Sequence, residues 1–208
     1  MFITFEGTDG TGKTTQIMYL KEYFEAQGRE VVITREPGGM PVAEKIREML
    51  LDKSNVMDDV TEAYLYAAAR AEHVRGVVLP ALRAGKVVLC DRYLDSSVAY
   101  QGYGRELGVD FVRSVNAQAV GDCLPDRTYL LVLEAADAEK RVVNRGEKDR
   151  MESAGEAFSR RVAEGFLSIA KQEPERVMIV NAGQEREQIA RIIAQDVANL
   201  QTKAGNER

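Results

Sequence analysis

Residues 7 to 14 read Gly7-Thr8-Asp9-Gly10-Thr11-Gly12-Lys13-Thr14, the pattern G-x-x-x-x-G-K-[ST]. Its flanks decide how it folds. Met1 to Phe5 is a short apolar run with β-branched residues, suited to a buried strand. From Lys13 to Gln27, Ile17, Leu20, Tyr23 and Phe24 recur at helical spacing. Strand, glycine turn and helix in that order build a site for a nucleoside triphosphate. The glycines let backbone N–H groups close around the β-phosphate, and the helix N-terminus adds its positive dipole end. Lys13 then stands to bridge the β- and γ-phosphates, and the Thr14 hydroxyl to ligate Mg²⁺.

The rest of the composition is ordinary for a soluble globular protein. The chain has 208 residues, 45% hydrophobic and 29% charged, which fits one globular domain with a single core. A net charge of −5 argues against nonspecific binding to nucleic acid, whose phosphates demand a basic face. Cys90 and Cys123 match no metal spacing and are expected to be reduced apolar fillers. No stretch approaches the about 18 apolar residues that cross a membrane. The chain enters its first strand at once, leaving no room for a signal peptide, so a cytoplasmic location is expected. His73 is the only histidine. With no triad or metal partner beside it, it is expected to pack.

Apolar β-rich runs alternate with helical stretches along the chain. The strand candidates are Phe2–Glu6, Glu30–Thr34, Lys86–Cys90, Thr128–Leu133 and Arg176–Val180. Helices are expected near 13–27, 42–51, 61–84, 109–121, 137–145, 155–172 and 184–200. This alternation predicts βαβ units: a parallel sheet with helices on both faces. Gly28 and Gly85 fall where helices should stop. Ser153-Ala154-Gly155-Glu156 has capping-box spacing and is expected to open the helix that starts near 154. Residues 1–208 read as one domain, with no repeat or linker, ending in a polar tail at 202–208 that is expected to fray.

Three further segments carry chemistry. Asp91 follows a buried strand, where a carboxylate beside a phosphate loop is placed to reach Mg²⁺ through water. The bland alternatives for Asp91 are a helix cap and a surface ion pair. Arg92 beside it suggests a second phosphate, since a guanidinium fork matches phosphate geometry. Thr34-Arg35-Glu36-Pro37-Gly38-Gly39 follows another strand; it reads either as a sharp turn or as charge at the mouth of the site. Between 140 and 150, Lys140, Arg141, Arg145, Lys148 and Arg150 outnumber Glu147 and Asp149 by three charges. By spacing alone that run fits a solvated face and a phosphate lid over about 141–153 equally well.

Together these segments resemble bacterial thymidylate kinases. The resemblance rests on the phosphate loop with Asp9 inside it, Thr34 to Gly39, Ala67-Ala68-Ala69-Arg70, Asp91-Arg92-Tyr93, Ser97, Tyr100-Gln101-Gly102 and Arg145 to Arg150. It extends from residue 2 to about residue 200. It implies a P-loop NTPase-like fold with a five-stranded parallel sheet, and usually a homodimer. The implied reaction moves the γ-phosphoryl group of ATP to dTMP, giving dTDP and ADP for dTTP biosynthesis. Asp9 would accept a hydrogen bond from the sugar 3′-hydroxyl. Tyr66, on the same helical face as Arg70, would stack on thymine, and Arg70 would donate to a thymine carbonyl. Ser97 and Gln101 would address the rest of the base edge, and Tyr100 would fill the space where a 2′-hydroxyl would sit. Arg92 would hold the acceptor phosphate, with Glu36 nearby and Arg35 or Arg47 assisting. Without the family, Tyr66 and Tyr100 read more simply as core residues.

The phosphate loop departs from some members in holding no arginine, which resembles the subgroup whose catalytic arginine comes from the lid. Arg145 is the expected catalytic arginine and Arg141 a donor-nucleotide contact. Ser97 stands where some members have asparagine. Two rival functions fit less well. A nucleoside kinase needs a base for the 5′-hydroxyl and has no use for Arg92. A guanine-specific switch usually carries Asn-Lys-x-Asp, and this sequence holds no Asn-Lys pair.

Overall fold

The structure, a computed structural model, describes residues 1–133, 150, 151 and 153–206. Five strands run parallel: β1 (Phe2–Glu6), β2 (Val31–Arg35), β3 (Val87–Asp91), β4 (Arg127–Val132) and β5 (Val177–Asn181). Their order across the sheet is β2-β3-β1-β4-β5. The helices are α1 (Lys13–Glu25), α2 (Pro41–Leu51), α3 (Asp59–His73), α4 (Leu79–Arg83), α5 (Leu94–Ser97), α6 (Val109–Val120), α7 (Glu156–Gln172) and α8 (Arg186–Asn206). The helix expected at 137–145 lies outside the described residues.

Alternation along the strands feeds a core on each face, which is why these runs are almost continuously apolar. Ile3, Phe5, Leu89 and Tyr129 pack on Ile17, Leu20 and Phe24 of α1 and on Ile189, Ile193 and Val197 of α8. On the opposite face Phe2, Val88 and Cys90 meet Val74, Val78, Ala81 and Val120, while Leu130 and Val177 meet Val112, Val162 and Phe166. Cys90 and Cys123 are free thiols buried in this second core.

Gly28 and Gly85 end their helices as expected, at φ 72° and 75°. In each case the next amide bonds back five residues, Arg29 N to Phe24 O and Lys86 N to Ala81 O, both at 3.0 Å. The stretch expected as one helix over 61–84 instead widens into a π-helical turn at Val74–Val78 before α4. Pro80 explains this: it has no N–H to donate and its ring crowds the preceding turn, so the longer-reaching Leu79 N to Val74 O bond carries the chain past it.

Two expectations need correction, and one helical segment was not foreseen. Gly155, at φ 97°, is the N-cap of α7 and carries no side chain to cap it, so the helix opens from this glycine and not from Ser153 as its N-cap. The tail expected to fray from 202 is helical through Asn206. Residues 94–104, for which the sequence pattern predicts no element, form α5 and a π-helical segment, Val98–Gly104. The polar and glycine content that hid this helix is structural. A Cβ on Gly104 would lie 2.6 Å from the Phe158 ring, so only glycine lets α7 pack here.

Candidate active site

β1 is central and hands the chain directly into the phosphate loop. Gly7 at φ 125° must be glycine, because a Cβ there would sit 2.3 Å from Leu131 O. Gly10 and Gly12 are also left-handed, at φ 79° and 90°. Lys13 opens α1 but folds back, its Nζ donating to Gly7 O at 3.1 Å and Thr8 O at 3.2 Å. Burial, and then the nearby Arg92 guanidinium, pull the Lys13 ammonium down to about 8 from 10.5. The buried ammonium thus holds the loop's carbonyls where an anion would supply better charge.

The neighbouring strands bring the other charged groups to the same edge. β2 and β3 each lie one residue further along than expected, which sets Arg35 opposite Asp91 at their carboxyl ends. Asp91 Oδ1 is buried without a hydrogen-bond partner among the described residues. The next residue, Arg92, has φ 68°, a conformation that costs a side-chain-bearing residue about 1 kcal/mol or more. It is pinned by its neighbours: Arg92 N donates to Phe5 O at 2.9 Å, and Tyr93 N donates to Glu6 Oε1 at 2.7 Å. The Arg92 guanidinium donates to Asp9 Oδ1 at 3.0 Å and Ser96 Oγ at 3.1 Å, and lies 5.3 Å from the Tyr100 ring centre.

Two cavities meet at this pair. Gly10, Gly12, Lys13, Thr14, Arg35 and Asp91 line the first, a polar one. Tyr66, Arg70, Tyr93, Ser97, Tyr100, Gln101 and Met151 line the second, where aromatic faces meet amide and hydroxyl groups. Asp9, Glu36, Arg47 and Arg92 belong to both walls. Burial pushes the Tyr100 phenol up to about 12, so it stays neutral beneath Arg92.

The second cavity stands on a buried polar frame. Arg70 donates to Glu36 Oε2 at 2.8 Å, to Ser97 Oγ and Tyr93 O at 3.0 Å, and to Asn116 Oδ1. A guanidinium has five N–H groups, so among the described residues one on Nη2 is left to meet a ligand. Glu36 Oε1 is 2.7 Å from His73 Nδ1, and His73 Nε2 is 2.7 Å from Thr34 Oγ1. The lone histidine therefore braces the frame. Arg35 is turned to Glu44, at 2.8 and 3.1 Å, while Arg47 donates to Pro37 O at 2.8 Å. Of the two, only Arg47 lines both cavities.

Thus Thr14, Glu36, Tyr66, Arg70, Asp91, Arg92, Ser97, Tyr100 and Gln101 gather with the phosphate loop around one cleft. Arg141 and Arg145 lie outside the described residues. Arg150, at the end of the same run, donates from Nε to Leu50 O at 2.7 Å and has Nη2 2.6 Å from Glu62 Oε2. Sequence reading missed Glu6, Glu62 and Asn116. Glu6 carried the same signal as Asp91, a carboxylate ending a buried strand at the phosphate loop; the other two carried none.

Residues 5–193 match the family model described as thymidylate kinase. The chain is 48% identical over 197 residues to the thymidylate kinase of Exiguobacterium sibiricum, covering 94% of this chain and 93% of that one. It is 44% identical over 207 residues to that of Bacillus velezensis, covering 98% and 96%. Among solved structures, the thymidylate kinase of Ehrlichia chaffeensis superposes with a TM-score of 0.77 at 34% identity, over 95% of this chain and 98% of that chain.

Proposed function

The chain belongs to the thymidylate kinase family, and from that premise we propose how its residues divide the work. It is an ATP-dependent phosphotransferase of P-loop NTPase fold that phosphorylates dTMP to dTDP for dTTP synthesis. The polar cavity takes the phosphates of ATP and the aromatic cavity takes dTMP. One observation carries this division: Asp9 and Arg92, hydrogen-bonded to each other, stand in the wall that both cavities share.

The acceptor is a phosphate monoester, already largely dianionic at neutral pH, so the reaction needs no strong general base. Positioning and charge neutralisation do the work. Lys13 exchanges its loop carbonyls for β- and γ-phosphate oxygens. Arg92 holds the acceptor phosphate in line with the donor, with Arg47 beside it. Asp9, which accepts from Arg92, also accepts from the 3′-hydroxyl and so ties sugar to phosphate. Tyr66 stacks on the base, the remaining Arg70 N–H meets a base carbonyl, and Ser97 and Gln101 meet the rest of its edge. Tyr100 lies under the sugar. Arg145 neutralises the transferring group, with Arg141 on the donor nucleotide, and the lid over about 141–153 excludes water.

The divalent metal of such kinases is Mg²⁺ in this reading, held by Thr14 and, through water, by Asp91. Among the described residues no cluster of three or more acidic, histidine or cysteine side chains forms a metal cage. That sparse donor set suits Mg²⁺, which takes one or two protein ligands and completes its shell with water and substrate phosphates. The unpartnered buried Asp91 Oδ1 supports the assignment. When bound, the ion neutralises phosphate charge.

Residues 1–208 act as one cytoplasmic kinase domain with no nucleic-acid or membrane partner. No helix among the described residues is long and apolar enough to cross a membrane. A homodimer is part of this reading, and sedimentation of the purified chain tests it. The substrate assignment is tested by ADP release with dTMP, dUMP, UMP, CMP, AMP and GMP. Preference for any acceptor other than dTMP would overturn it.

A further inference from the structure

Glu62 on α3 is wholly buried, at 0% exposure, yet it lines neither cavity. Its carboxylate accepts from Gln101 Nε2 at 2.8 Å and from Arg105 Nε and Nη2 at 3.2 and 3.0 Å, and Arg150 Nη2 lies 2.6 Å away. Resting on the assignment of the aromatic cavity to the base, we propose that Glu62 is a positioning residue. It fixes which end of the Gln101 amide meets the base, and so selects pyrimidines that carry N3–H over cytosine.

The chemistry is that of an acceptor-only partner. A carboxylate clasped by two guanidinium groups accepts hydrogen bonds and donates none, so only the NH₂ end of the amide can face it. The flipped amide would bring two oxygens together at hydrogen-bond distance. Gln101 is itself 1% exposed and cannot swing out to solvent. With Nε2 committed to Glu62, the carbonyl Oε1 is the end left for the cavity that Gln101 lines. A carbonyl accepts N3–H from thymine or uracil. Cytosine presents a bare N3 lone pair there, and two acceptors facing each other in a buried site are each left unsatisfied. The free N–H of Arg70 adds a second selection, for a carbonyl over the cytosine amino group, without passing through Glu62.

Glu62→Gln replaces the acceptor-only partner with an amide that can donate to Gln101 Oε1, allowing the Gln101 amide to invert. ADP release gives kcat and KM for dTMP and dCMP, with melting temperature measured in parallel. The expected result is a raised KM for dTMP, with the dTMP-to-dCMP ratio of kcat/KM narrowed by about tenfold; Arg70 keeps the remainder of the preference. Glu62→Asp, still acceptor-only, should restore the ratio. A purely structural Glu62 would lower both substrates equally, and an unchanged ratio overturns the proposal. Should Glu62→Gln fail to fold, Gln101→Met, which deletes the carbonyl without offering a donor, must narrow the same ratio or the proposal falls. Gln101→Ala separates the two levels of the reading. An unchanged KM for dTMP in that variant removes the base assignment and the proposal with it. A raised KM there alongside an unchanged ratio in Glu62→Gln overturns the positioning role alone.

Discussion

Glu6 offers a test in which the structure sets both the sign and the size. It ends β1 at 0% exposure and accepts from Tyr93 N at 2.7 Å and from Ser96 Oγ at 2.6 Å. Burial first, and the Asp95 carboxylate second, push it up to about 7 from 4.5. The folded chain therefore keeps a proton that the unfolded chain releases. Glu6 contributes fully to stability below the unfolded value, and the contribution declines as pH rises until it is lost past about 7. Each unit of pH in that window costs about 1.4 kcal/mol. Over the whole window the loss is about 3 kcal/mol. Glu6→Gln has the shape of the protonated acid at every pH, with Oε1 accepting from Tyr93 N and the amide donating to Ser96 Oγ. The two proteins should be nearly equal in stability near pH 4.5, and the variant should gain to an advantage of about 3 kcal/mol by pH 8. Urea denaturation from pH 4.5 to 8.5 measures this, at one protein concentration because association would shift apparent stability. Parallel stability curves, or a gap that opens toward acid, would refute the reasoning.

Substitutions in the cleft give the remaining expectations. Lys13→Ala should abolish measurable turnover while the fold survives; retention of a tenth of the activity would move the donor site elsewhere. Arg92→Ala should raise the KM for dTMP and lower kcat together, because a loosely held acceptor is misaligned, whereas an effect confined to the KM for ATP would put Arg92 on the donor side. Tyr100→Ala should narrow the preference for deoxyribose over ribose, and equal use of both sugars by the unaltered protein would discard its placement under the sugar. Arg145→Ala should cut kcat by about 10³ or more, the contribution of arginine fingers in related chemistry. Arg150→Ala, which strips a partner from buried Glu62, should instead lower the melting temperature. Reversed effects would exchange the roles of the two arginines.

The sheet was legible because its strands obey local rules. Strands buried on both faces must be almost wholly apolar, and Val87 to Cys90 are each at 0% exposure. Gly28 and Gly85 announce helix ends through a conformation that only glycine adopts cheaply. What escaped was decided by distant contacts. The 94–104 segment shows no helical pattern because its polar residues line the cleft and its glycine serves α7, and neither partner is near in sequence. The Ser153 capping pattern met the spacing rule, yet the chain turned at Gly155.

The site divides along the same line. A phosphate loop is legible because one short segment supplies its own backbone donors, cation and hydroxyl, and the chemistry of a phosphate dictates all three at fixed offsets. The frame of the aromatic cavity, to which the base is assigned in the proposal, is assembled from pairs far apart in the chain. Arg70 is bound to Glu36, Ser97 and Asn116, and Gln101 to Glu62. Each ligand-facing atom is what remains after the frame has used the others. Listing Arg70 and Gln101 as base contacts identifies the residues but not their free atoms, one N–H in the first case and one carbonyl in the second. In the proposed reading those two atoms meet a 4-carbonyl and an N3–H, the edge that thymine shows and cytosine lacks. On that proposal specificity resides in the partners of the contacting residues, and a sequence read segment by segment does not bring those partners together.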